Sequence, residues 1–264
     1  MLKKRITYWY MRNAARLGHA FSSNWYEVLG KFERPTSEQM NVVAIPIEQK
    51  IDAPSNFILP RDIMFALIDR AACTGIIHKC TCRTSARCSD YPRDIGCVVL
   101  GSTVETLDPS IGRICTTDEA KAHVEKSLGT GMYPCISHYV RDAQMYSLDY
   151  EKLLILCFCC ECCCTMRNTA KVTDGMDNSF FSNTHKLPFV TVQVDTDKCD
   201  GCKKCEDVCF ANAISFEDGK AAIDQDKCKG CGKCALVCDC FSVRYETDDI
   251  DAILGQMHTT SDIS

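Results

Sequence analysis

CFCCECCC, residues 157–164, places six cysteines in eight positions of a 264-residue chain that carries 22 in all. Crowded thiols can ligate soft metals, cycle between thiol and disulfide, or accept a lipid. The spacing of the other cysteines decides among these chemistries.

The most regular spacing is C-terminal. DKCDGCKKCEDVC (197–209) and DKCKGCGKCALVC (226–238) align without a gap, 29 residues apart, and each spells C-x2-C-x2-C-x3-C. Gly201 matches Gly230, and further on Phe216 matches Tyr245. Three cysteines at two-residue intervals wrap a loop around one iron–sulfur cube, so that each thiolate reaches a different iron. The fourth, expected at the start of a helix, reaches across to the other cube. This crossing assigns one [4Fe–4S] cluster to Cys199, Cys202, Cys205 and Cys238, and a second to Cys228, Cys231, Cys234 and Cys209. A zinc ribbon also uses C-x2-C pairs but does not ask for the third and fourth cysteines at these intervals. Over roughly residues 190–246 the chain resembles the bacterial two-cluster [4Fe–4S] ferredoxins. That family usually has proline after the fourth cysteine, where this chain has Phe210 and Asp239. The fixed backbone angle is lost there, and Asp239 adds negative charge beside one cluster.

A second constellation is KCTCRTSARCSDYPRDIGCVVLG (79–101), with C-x-C-R-x4-C-x8-C on Cys80, Cys82, Cys88 and Cys97. Four cysteines in one loop segment suffice for a third cluster. Arg83 and Arg87 would offset its negative charge, and Arg83 is close enough in sequence to donate to a sulfur. Four buried structural cysteines, or a zinc site, would be the plainer alternatives. With GR (112–113) and TTDEA (116–120), this segment resembles the amino-terminal part of a family of anaerobic multi-cluster iron–sulfur proteins. Members carry a CxCR module, a cysteine-crowded tract and a C-terminal dicluster ferredoxin domain, in the order found over residues 42–246. The resemblance implies redox service to a larger system rather than a defined reaction.

Within the tract, Cys157 and Cys159 would share one face of an extended chain while Cys160 begins the other. A turn at Glu161 could then bring Cys162, Cys163 and Cys164 back. A subset of Cys157, Cys159, Cys160, Cys162, Cys163 and Cys164 is the candidate ligand set of a fourth cluster, with Cys115 or Cys135 as further donors. The same thiols could instead supplement the 80–97 site or stay free for substrate or disulfide chemistry. His78, two residues before Cys80, is the histidine best placed to be an unusual ligand.

The elements that position these groups divide the chain into five stretches. Residues 1–34 read as a basic, aromatic helical arm, 35–164 as a mixed α/β cysteine-rich iron–sulfur domain, and 165–190 as a linker or loop. Residues 191–246 form the ferredoxin-like domain, and 247–264 an acidic, polar tail. The expected class is therefore α+β, a mixed α/β domain followed by a ferredoxin-like 2[4Fe–4S] domain. Residues 42–59 look extended, RDIMFALIDRA (61–71) and TTDEAKAHVEKSLGTG (116–131) read as helices, and LLILCF (153–158) as a buried strand. Thr117 is the expected N-cap of the second helix, and Gly129 marks its stop.

A net charge of −5 leaves no basic excess for binding nucleic acid. No run of apolar residues is long enough to span a bilayer, and MLKKRITYWYMRN has no apolar stretch that would make it a secretory signal. The expected setting is cytoplasmic, with peripheral membrane contact open to residues 1–34. No dinucleotide fingerprint or Walker loop is present. These features point to an electron-transfer subunit of an oxidoreductase complex more than to a catalyst. Its partners would be a ferredoxin, a flavoprotein or a catalytic subunit within a hetero-oligomer. The rival expectation is a reductase whose crowded site, 80–97 with 157–164, itself binds substrate or reduces a disulfide.

Overall fold

A computed structural model describes residues 40–44, 60–160, 162–164, 184–187, 190–209 and 211–245, with Asp251, Leu254 and Ile263. The expected arm over 1–34, the extended stretch 45–59, Glu161 and most of the linker lie outside the described residues.

Seven strands form one sheet: β1 (Met40–Ala44), β2 (Thr74–Ile77), β3 (Val98–Leu100), β4 (Gly112–Cys115), β5 (Tyr133–Tyr139), β6 (Leu154–Cys159) and β7 (Thr184–Lys186). Their order is β4-β2-β3-β6-β5-β1-β7, and neighbours run antiparallel except for the parallel pair β1–β7. The strand expected at 153–158 is β6, displaced by one residue, and it lies at the centre of the sheet with every residue buried. Its alternation builds two cores. Leu154, Leu156 and Phe158 pack with Ile63, Met64 and Ile68 of helix α1 (Pro60–Arg70). Ile155, Cys157 and Cys159 face the other way, with Cys97, Tyr133 and Cys135.

Between β2 and β3 lies a one-turn helix, α2 (Thr81–Ala86), and after β4 comes α3 (Thr117–Leu128), which packs beside α1. The cap of α3 is Thr116 rather than the expected Thr117. Its hydroxyl accepts from the Glu119 amide at 3.2 Å, while the Glu119 carboxylate accepts from the Thr116 amide at 2.9 Å. This reciprocal capping box needs the hydroxyl three residues before Glu119, which Thr117 cannot provide. A further short helix, α4 (Val140–Tyr146), follows β5 and lies on the Cys157–Cys159 face.

The C-terminal part repeats itself in space as it does in sequence. Strand β8 (Val190–Val194) pairs antiparallel with β11 (Phe241–Tyr245), and β9 (Ile214–Glu217) pairs with β10 (Lys220–Ile223). Each half carries one short helix, α5 (Lys204–Val208) and α6 (Lys233–Val237). Asp195 accepts from the amides of Asp197 and Lys198, and Asp224 does the same for Asp226 and Lys227. These matched turns launch the two cysteine loops. The third cysteines, Cys205 and Cys234, lie inside the helices, and the fourth, Cys209 and Cys238, close them as C-caps. The fourth cysteine thus ends a helix instead of starting one. Its x3 spacing is about one helical turn, so the short helix spans third to fourth and the chain turns away at the latter.

The two parts share a core. Val190, Val192, Cys199 and Cys205 belong to the same buried cluster as Leu156 and Phe158. Among the described residues, no helix is long and apolar enough to cross a membrane.

Candidate metal centres

In the ferredoxin-like part, Cys209, Cys228, Cys231 and Cys234 line one cavity, together with apolar Val192, Ile214 and Ile223. One cysteine of the first repeat thus meets three of the second. Backbone amides point at these sulfurs: Ala213 donates to Cys209 Sγ at 3.3 Å and Gly230 to Cys228 Sγ at 3.4 Å. Gly230 sits at φ 70° and its counterpart Gly201 at φ 74°, a left-handed turn that favours glycine. At Gly201 a Cβ would also collide with the Gly219 carbonyl. Burial raises the Cys231 thiol to about 12, which only a metal or a strong donor would reverse.

The companion set is more open. Cys199, Cys205 and Cys238 are electrostatic neighbours, and the Ala221 amide donates to Cys199 Sγ at 3.4 Å. Cys202 is exposed, and its amide donates to the Asp200 carboxylate at 3.1 Å. Cys240 adds a thiol hydrogen-bonded to Cys238, a neighbour not anticipated from the repeat although CDC (238–240) spells it out. The enclosed set suits a thiolate-ligated cube, with four cysteines on one cavity, an apolar wall and amide donors aimed at sulfur, and the companion set shares the amide donor.

In the N-terminal domain the structure groups the cysteines differently from their order in the chain. Cys97 lies one step beyond the Val98–Leu156 pair, Cys157 is opposite Cys135, and Cys159 is opposite Tyr133. Cys97, Cys157 and Cys135 therefore form a row across three adjacent strands. Cys97 Sγ lies 3.4 Å from Cys157 Sγ, and Cys135 Sγ lies 3.6 Å from Cys159 Sγ. Cys97, Cys157 and Cys159 line a second cavity with Cys80 and Cys82 at the start of α2, Cys160 and Cys164. Hydrogen bonds from Cys135, Cys157 and Cys164 hold the Cys159 thiol well below its ordinary value, despite burial. A thiol whose ionised form is supported by its neighbours is a preorganised metal ligand.

Cys88 lies elsewhere. α2 ends in a left-handed residue, Arg87 at φ 54°, with the Arg87 amide donating to Thr84 and the Cys88 amide to Arg83. This Schellman turn redirects the chain. Cys88 then joins Cys160, Cys162 and Cys163, the four Sγ atoms all within 4.8 Å of one another. Burial raises the Cys88 thiol, but hydrogen bonds from the backbone at Tyr91 and Asp90 and from the thiols of Cys163 and Cys162 bring it below its ordinary value.

Arg83 separates the two groups. It is 1% exposed and donates to three backbone carbonyls: Pro92 at 2.8 Å, Phe158 at 2.6 Å and Ile95. Its donors hold backbone instead of sulfur, yet its charge stays close to the thiols. Burial alone would lower its pKa, but Cys80, Cys160, Cys97 and Cys159 raise it. Arg87 is exposed. His78 bonds the Pro109 carbonyl at 3.0 Å and lines neither cavity. Cys115 sits beside Thr74 on the edge strand β4, with β2 and β3 between it and the tract. Asp142 and Tyr146 of α4 line the second cavity and were not legible as site residues. Burial, reinforced by Cys159, pushes the Asp142 carboxyl up to about 7. Only the packing of α4 on the sheet reveals them.

One side chain of the ferredoxin-like part reaches the sheet beside the tract. Lys233 lines the ferredoxin cavity, and its Nζ stands 5.9 Å from the centre of the Tyr133 ring, on the residue opposite Cys159. Leu236, one turn along α6, packs against the core that holds Cys97, Cys157 and Cys159.

No curated protein and no solved structure matches the chain. Residues 191–239 match the family model of the 4Fe-4S dicluster domain, and with the cysteine-crowded tract this supports an iron–sulfur protein.

Proposed function

We propose that the chain is an electron-transfer subunit carrying single electrons between a redox partner and a cluster in its N-terminal domain. The ferredoxin-like part would hold two [4Fe–4S] clusters, on Cys199, Cys202, Cys205 and Cys238 and on Cys228, Cys231, Cys234 and Cys209. A third would be held in the second cavity, by ligands drawn from Cys80, Cys82, Cys97, Cys157, Cys159 and Cys164. Such clusters, when bound, take up and release one electron each with little rearrangement.

The observation that carries this reading is the contact of Lys233, which lines the ferredoxin cavity, with Tyr133 opposite Cys159, and of Leu236 with the core that holds Cys97, Cys157 and Cys159. The chain's own residues do the rest. Amides from Ala213, Ala221 and Gly230 support thiolate charge, the apolar walls exclude water, and Arg83 places a fixed positive charge beside the third site. The partner would be a small redox protein or a catalytic subunit, within a hetero-oligomeric oxidoreductase complex.

Reductive EPR titration of the anaerobically purified chain tests the proposal. About three spins per chain on full reduction support a relay that extends beyond the ferredoxin domain. About two would confine the electrons to residues 191–246. A second reading rests on the surplus of thiols in the N-terminal cavity and on Asp142, whose carboxyl could deliver a proton there. On that reading the site reduces a bound disulfide with two electrons fed from the ferredoxin part. Rapid alkylation of Cys157 or Cys159 in the cluster-loaded protein would favour it.

A further inference from the structure

The cysteine-crowded tract 157–164 does not act as one unit. Its strand half, Cys157 and Cys159, meets Cys97 and Cys135, whereas Cys162 and Cys163 turn to Cys88, and Cys160 joins them while also bordering the cavity. Short sulfur pairs occur in both halves, Cys97–Cys157 at 3.4 Å and Cys135–Cys159 at 3.6 Å in the first, but among the described residues the mutual approach of four sulfurs belongs to the second. Four thiolates about 2.3 Å from a single ion lie about 3.8 Å from one another. In a cube each ligand sulfur is bound to a different iron at an outer corner, which holds the sulfurs roughly 6 Å apart. The Sγ atoms of Cys88, Cys160, Cys162 and Cys163 are all within 4.8 Å of one another, and Cys88 and Cys162 are 3.6 Å apart.

The local chain favours the tighter arrangement. The Cys164 amide donates to the Cys160 carbonyl at 3.3 Å, closing a turn that carries three of the four thiols. Cys162 and Cys163 are sequence neighbours, with Cα atoms about 3.8 Å apart, so their sulfurs converge easily. Cys88, Cys160 and Cys163 are buried in a small cluster covered by Ala86 and Tyr91. Four thiolates filling four corners leave no open position for substrate, the pattern of a structural site.

We propose that Cys88, Cys160, Cys162 and Cys163 bind one divalent metal ion in a closed tetrahedral thiolate site, occupied by Zn²⁺, separate from the neighbouring iron–sulfur cradle. Binding releases four thiol protons and leaves a site of net charge −2, partly offset by Arg83 beside Cys160. The ion pins the turn after β6 to the end of α2. The proposal stands on the geometry of these four thiols and does not depend on the electron relay.

The test is metal and acid-labile sulfide analysis of the full chain, purified anaerobically without added metal, beside Cys162→Ser and Cys88→Ser variants. Cys162 is exposed, so its substitution leaves the buried core intact. The expected result is about one zinc per chain, lost in both variants with sulfide unchanged, and a zinc-edge X-ray absorption spectrum showing four sulfurs at about 2.3 Å. Absence of zinc, zinc retained in Cys162→Ser, or a fall of about four sulfides per chain in that variant would overturn it. A low total sulfide with zinc present would count against the relay alone, so the two readings fail separately.

Discussion

Arg83 and Arg87, four residues apart, illustrate how neighbouring residues of one type take different roles. Both were expected to balance cluster charge. Arg83 is buried and commits its donors to the carbonyls of Pro92, Ile95 and Phe158. Arg83→Met should leave these three acceptors without donors. Two of them, at Phe158 and Ile95, are buried, and buried orphans cost about 1–3 kcal/mol each, so a loss of roughly 2 kcal/mol or more is expected in anaerobic denaturant unfolding. A change below about 0.5 kcal/mol would remove Arg83 from the framework. Arg87 holds a left-handed φ of 54° while its side chain is exposed. A non-glycine residue pays roughly 1 kcal/mol for that backbone, so Arg87→Gly should be more stable by about that amount with iron content unchanged. Loss of iron in Arg87→Gly would show that the guanidinium serves the cluster after all.

At the scale of the element, β6 and α3 were readable because their periodicities are local. Alternation along 154–159 separates Leu156 and Phe158 from Cys157 and Cys159, and the split of Cys160 from that face follows from the same period. Helix α3 was readable from its caps to within one residue. The one-turn helix α2 was not, since TCRTSA has little helical preference and its Schellman turn uses arginine where glycine is usual. That turn sends Cys88 to Cys160, so the grouping of thiols was hidden with it. Two histidines brace these elements. His123 of α3 bonds the Gly96 carbonyl at 2.9 Å, and His138 of β5 bonds the Tyr150 carbonyl at 2.9 Å and stacks on its ring. Burial holds both below their ordinary value of 6.5. Each therefore favours folding while neutral, and its contribution is complete above pH 6.5 and lost as pH falls through the lowered folded value. Unfolding stability should decline as pH drops below about 6.5, with a shallower decline in His123→Gln. An identical slope in the variant would show that His123 takes no part.

At the scale of the whole molecule, the meeting of Cys209 with the cysteines of the second repeat was legible because the 29-residue repeat imposes a pseudo-twofold relation on the chain. The seven-stranded sheet order was not, because it depends on pairings between segments far apart in sequence. Nor was the contact of Lys233 with Tyr133, which links the ferredoxin-like part to the strand residue opposite Cys159. The central claim is that the N-terminal cavity holds a third cluster in line with the two of the ferredoxin part. Acid-labile sulfide per chain, measured on the anaerobically purified protein, tests it most directly. The account predicts about twelve sulfides per chain, falling to about eight in Cys80→Ser, whereas about eight in the unaltered chain would contradict it.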